Sequence, residues 1–130
     1  MDATPITAHR KGELIMNRDV LEYWAEYYSK QEGRKYPCSN QTVICGIVTD
    51  DRNKALNFMK DKEFIRKQES PNQIVWVLTN GEVWKWKNWN ETMRGYRFYK
   101  VAVDANIDDE LFKFLILPLC SFYCCTMEII

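Results

Sequence analysis

Residues 74–90, "IVWVLTNGEVWKWKNWN", hold four of the chain's five tryptophans around a single Asn80-Gly81 pair. That dipeptide constrains the fold more than any other feature. Asn-Gly between alternating apolar residues marks a tight β-hairpin, because a type I′ turn needs positive φ at both central positions. The pattern predicts that 73–79 and 82–89 pair as antiparallel strands. Alternation then sets Trp84 and Trp86 on one face, with Val83, Lys85 and Lys87 on the other. Trp76 shares its face with Ile74 and Leu78, so three indoles are expected to pack inward, each removing about 150–250 Å² from water. Trp89 stands apart, at the strand's end beside Lys87, Asn88 and Asn90. It is a candidate for stacking on a base or anchoring a protein contact.

The rest of the chain can supply partners for this hairpin. At 130 residues, 46% of them hydrophobic, it is long enough for one compact domain and too apolar for disorder. Val20, Leu21, Trp24, Tyr27 and Tyr28 recur at helical spacing behind Asn17, a natural N-cap, and predict a helix over 18–31. "TVICGIVT", 42–49, reads as a strand buried on both faces. In 50–70 an Asp50 or Asp51 cap followed by Ala55, Leu56, Met59 and Phe64 predicts one helix or two short ones, ended by Pro71. "YRFYKVAV" predicts a further strand. Asp108 then caps a helix carrying Leu111, Phe114 and Leu115 inward. The expected order is α-β-α-β-β-β-α, an α/β or α+β domain with a mixed sheet of about four strands flanked by helices. It spans 17–130, after a poorly ordered segment 1–16.

Charge and cysteine usage narrow the function classes. Lys plus Arg and Asp plus Glu both number 18, so no global field favours nucleic acid or an anionic membrane. The five cysteines (Cys38, Cys45, Cys120, Cys124 and Cys125) are odd in number and suit free thiols in a reducing compartment, cytoplasm or nucleus. "LFKFLILPLCSFYCC" is too short for a membrane span. His9 is the only histidine, so neither a zinc site nor a histidine-based nucleophile is expected. Phosphate-loop motifs are absent.

The stretch "IVWVLTNGEVWKWKNW", followed by "YKVAVDANIDDELFKFL", resembles the PD-(D/E)XK nuclease-like domain found at the N-terminus of type I restriction-enzyme motor subunits. The similarity covers about residues 73–117. It implies a nuclease-like fold and, for an active member, a divalent metal held by an Asp and a Glu-x-Lys or Asp-x-Lys on the strand before the helix leading to Thr-Asn-Gly. Here that strand is "TVICGIVT", without a carboxylate, and neither tripeptide occurs anywhere in the chain. Asp50-Asp51-Arg52 is the nearest stand-in, with an arginine that cannot act as a base near neutral pH.

The expectation is therefore a degenerate nuclease-like domain that acts by binding a nucleic acid or a nucleic-acid-processing protein, without cofactor or resident metal. Lys85, Lys87, Trp89, Arg94 and Arg97 are its candidate binding residues. One alternative is a small virus-encoded interaction protein that inhibits a host factor. Another is an active nuclease using Mg²⁺ or Mn²⁺ on Asp50, Asp51 and Glu63.

Overall fold

The spine of the sheet is β1 (Thr42–Val48), whose residues from Ile44 onward are all buried. A strand covered on both faces needs an uninterrupted apolar run, and β-branched Ile44, Ile47 and Val48 supply one suited to a pleated backbone. The computed structural model describes residues 14–30, 42–87, 96–120 and 126–130. Over these residues, α1 (Arg18–Ser29) precedes β1, and α2 (Arg52–Met59) follows it. Then come β2 (Phe64–Ser70), β3 (Gln73–Leu78), β4 (Val83–Lys87) and β5 (Tyr96–Val103). Next is α3, in which Asp109–Leu111 passes through a π-helical turn, Phe112–Ile116, into Leu117–Cys120. The last element is β6 (Thr126–Ile129).

The fold is mixed α+β, and its single sheet runs β2-β3-β4-β1-β5-β6. β2, β3 and β4 form an antiparallel meander. β1 pairs in parallel with both β4 and β5, and β5 in parallel with β6. Six strands replace the four expected. The sequence pattern over 50–70 predicts helix where β2 forms; the seven residues of β2 are all exposed, so no buried face imprints an alternation on "FIRKQES". β5 does not continue the hairpin, because β1 lies between it and β4.

Helices cover the two faces of the sheet. Ala55 and Met59 of α2 pack on Cys45, Ile47, Ile74, Trp76, Trp84 and Trp86. On the other face α1 and α3 bring Leu21, Tyr28, Phe112 and Ile116 against Ile44, Val48, Phe98 and Val103. Burial of each large side chain contributes roughly 1.5–3 kcal/mol. The three indoles do face inward, with Trp76, Trp84 and Trp86 only 2%, 3% and 8% exposed.

Caps form where the sequence placed them. Asn17 Oδ1 accepts from the Asp19 and Val20 N–H groups at 2.8 and 3.3 Å. Asp51, rather than Asp50, caps α2, and Asp108 Oδ2 accepts from Leu111 N–H at 2.9 Å. The apolar stripe of α1 is narrower than expected, since Val20 and Tyr27 are exposed. In α3 the inward positions are Phe112, Leu115 and Ile116, and Phe114 points outward. Pro118 has no N–H to give to the carbonyl of residue 114, and the widened turn, closed by Leu117 N–H on Phe112 O, precedes it. Residues 14–16, read from sequence as unordered, are tied down: Met16 N–H donates to Ile107 O at 2.8 Å, and Met16 is buried.

The hairpin turn also differs from expectation. Gly81 has φ +92°, but no other described residue, Asn80 included, has positive φ, so the turn is not type I′. Gly81 N–H closes on Leu78 O at 3.1 Å, and Leu78 N–H on Glu82 O at 2.9 Å. This is a three-residue loop in which a tight turn ends on a left-handed glycine, with Asn80 Oδ1 accepting from Glu82 N–H at 2.9 Å. Val77 therefore faces Val83, and Trp76 faces Trp84.

A second glycine is fixed by crowding. A Cβ on Gly46 would stand 2.3 Å from Cε1 of Phe98, whose ring is fully buried against the β1 backbone. Gly46→Ala should destabilise the fold by about 1–3 kcal/mol in thermal or urea unfolding. Combining it with Phe98→Leu should cost less than the sum of the two single changes, because the smaller side chain makes room for the methyl.

Candidate functional site

Two features stand out, and both follow from the position of β1. The first lies where β1 and β5 end side by side. Val48 is level with Val103, so the next residues, Thr49 and Asp104, become neighbours. Thr49 Oγ1 donates to Asp104 Oδ2 at 2.5 Å and accepts from Asp51 N–H at 3.0 Å. Lys54 of α2 and the Asn106 N–H both donate to Asp104 Oδ1 at 2.8 Å. Thr49 O accepts the Trp86 indole N–H at 2.8 Å. The group thus joins β1, β4, β5 and the start of α2.

Burial is the largest influence on Asp104 and pushes its pKa up, but the hydrogen bonds from Lys54, Thr49 and Asn106 outweigh it. The carboxyl titrates below its ordinary 3.8. With both oxygens engaged, it holds strands together and is poorly placed to act as a base. Thr49 and Asp104 line a small cleft with Asp50, Lys87 and Asp108. Among the described residues, no three His, Cys, Asp or Glu side chains stand close enough together to hold a metal ion.

The sequence-predicted catalytic candidates do not converge. Asp51 is committed to capping α2, accepting from Asn53 N–H at 2.9 Å. Asp50 is exposed at the lip of the cleft. Glu63 precedes β2, which runs parallel to β1, so it lies at the opposite end of the sheet, about 20 Å away by strand length. Its backbone carbonyl meets Thr79 N–H by the hairpin loop. The local pattern does not mark Asp104 and Thr49 as a pair. Its one pointer is that both apolar strands, "TVICGIV" and "KVAV", are followed by a polar residue, at the strand ends where open parallel sheets gather polar groups.

The second feature is the sheet face opposite α2 on the β2-β3-β4 wing. Directly paired residues share a face. Trp76 and Trp84 face α2, so the register sends the alternate residues to the other side. These are Arg66, Gln68 and Ser70 on β2, Gln73, Val75 and Val77 on β3, and Val83, Lys85 and Lys87 on β4. None of the nine is acidic and three are cationic. The β2 residues are exposed, and those of β3 and β4 are half-buried. Lys85 and Lys87 thus share a face as expected, and Arg66 joins them.

Arg97, a candidate for the same surface, stands on β5, and its backbone pairs with Val43 on the far side of β1 from β4. Trp89 and Arg94 lie outside the described residues. Comparison with protein-family models, curated proteins and solved structures finds no match for this chain.

Asp104→Ala should lower stability by on the order of 2–3 kcal/mol, because it leaves Lys54 and Thr49 without their shared acceptor. Its folded pKa is depressed, so its contribution is full above the unfolded value and is lost as pH falls through the folded one. Urea unfolding measured from pH 7 down to pH 2 should show that the variant has lost part of the wild-type decline below about pH 4.

Proposed function

We propose that this protein acts by binding, and that it holds the phosphate backbone of a nucleic acid against the sheet face carrying Arg66, Lys85 and Lys87. The observation that carries the reading is the register: it gathers three cations on nine positions without one carboxylate, in a chain of zero net charge. Val75, Val77 and Val83 form the floor between them, and none of the nine positions carries an aromatic ring to stack a base. Contact is therefore to backbone and not to sequence. The resemblance of residues 73–117 to a nuclease-like domain without its Glu-x-Lys agrees with binding in place of cleavage.

Lys87 stands at the junction of this face and the cleft that Asp50 borders. Asp50 is exposed, and its charge opposes an incoming phosphate. Neutralising it separates binding from catalysis, because a metal-dependent nuclease would need the same carboxylate.

Fluorescence titration of labelled DNA and RNA oligonucleotides over 50–300 mM salt checks the proposal. Three phosphate contacts give a slope of log K against log salt of roughly −2 to −3. A Lys85→Ala/Lys87→Ala variant should weaken binding about tenfold or more at low salt and flatten the slope by one to two units. Asp50→Asn should bind about two-fold tighter, in line with a weak, solvent-screened opposing charge. Salt-insensitive or undetectable binding, or Mg²⁺- or Mn²⁺-dependent cleavage lost in Asp50→Asn, would overturn the reading. So would a preference for an acidic protein over either nucleic acid.

A further inference from the structure

One edge of the sheet is β2, and its chemistry suits a copy of itself. All seven of its residues are exposed, including Ile65 at 71%, and β3 occupies only one of its two sides. The shift in pairing with β3 between Phe64 and Arg66 is confined to one end, so Arg66–Ser70 is regular. Natural edge strands discourage such pairing with charged side chains, lysine above all, and with bulges. The charges on β2 are of both signs, so in a suitable register they attract a second copy instead of repelling it. Lys67 and Glu69 stand two residues apart on the face towards α2, at 3.2 Å from each other, with opposite charges.

We infer that two copies of this chain pair antiparallel through β2, on a two-fold axis through Gln68. In this register Gln68 faces Gln68 of the second copy, and Arg66 faces Ser70. Each Lys67 lies opposite a Glu69 of the other copy, which makes an alternating set of four charges. Moving the axis to Lys67 would set the two lysines against each other, so the charge pattern selects the register. The same register brings exposed Ile65 beside Pro71 of the other copy at each end of the ribbon.

A two-fold axis perpendicular to the sheet keeps like faces together. The joined sheet therefore carries both copies of Arg66, Lys85 and Lys87 on one continuous surface, and a polyanion spanning it would meet six cations in place of three. This consequence rests on the binding reading above; the pairing itself does not. Five residues from each copy form a contact well below the area of a stable complex, so the dimer is weak and reversible.

Sedimentation velocity without nucleic acid, from about 1 μM to about 1 mM, should show the wild type passing from monomer towards dimer. Lys67→Glu alone and Glu69→Lys alone should each stay monomeric, because each sets like charges across the axis. Mixing the two variants should restore a dimer, since every cross-axis pair is then opposite in sign. If Glu69→Lys fails to fold after losing its contact with Arg52, Lys67→Glu, which keeps Glu69, carries the test and must be folded and monomeric. A wild type that stays monomeric throughout overturns the inference, as does a dimer indifferent to Lys67→Glu. Because no nucleic acid is present, neither result bears on whether the basic face binds one.

Discussion

The structure depends on covering both faces of β1 and flanking both of its edges with parallel strands. Parallel neighbours cannot be reached by tight turns, so the chain must leave the sheet after β1 and return twice. On the first return it comes back through α2 and the β2-β3-β4 meander; the second return is β5, on the other side of β1 from β4. Phe98 can sit against the backbone of β1 only because Gly46 lacks a Cβ. Beside that contact the pairing of β1 with β5 slips by one residue, between Ile44 and Cys45, and the register that follows makes Thr49 and Asp104 neighbours. The indole of Trp86, in the next strand over, then reaches Thr49 O. One buried strand thus fixes the polar network at its end.

Elements that bury a face were legible in the sequence. The alternation around Asn80-Gly81 gave the inward indoles and the outward lysines. The unbroken apolar run gave β1, and three side chains of the right chemistry gave the caps. Legibility ended where burial ended. β2 is solvated on every residue, so nothing in "FIRKQES" distinguishes strand from helix. The turn type was misjudged because Asn-Gly satisfies two geometries: both residues left-handed, or the glycine alone. Which one forms depends on the strand register, set here by Trp76 packing against Trp84 and Ile74 against Trp86. The Phe114 error has the same character. Its spacing fits an inward helical face, but the face that is covered carries Phe112, Leu115 and Ile116, and Lys113 and Phe114 fall outside it.

The candidate site was legible in part. That Lys85 and Lys87 share a face follows from alternation within one strand. Bringing in Arg66, and separating Arg97, needed the strand order, which the local pattern does not contain. Asp104 was hidden for a related reason. Beside Asp108, Asp109 and Glu110 it looks like one more acid at a helix start. Only the level ends of β1 and β5 give it a hydroxyl, an ammonium and an N–H at once.

The two features are coupled through charge. At physiological ionic strength, fields fade over about 8 Å, so a balanced total says little about any one face. What matters is how each nearby acid is compensated. Asp104 is answered by Lys54 from α2, at 2.8 Å, and Glu69 by Arg52 and Lys67 on the opposite side of the sheet. Because these acids are answered from α2 and its face, they do not draw on the cations of the wing's other face. Overall neutrality and a locally basic surface are therefore compatible, provided the sheet keeps the two sets of pairs apart. Were Lys54 removed, Asp104 would keep Thr49 and the Asn106 N–H but lose the cation that answers it, at a cleft that Lys87 also lines.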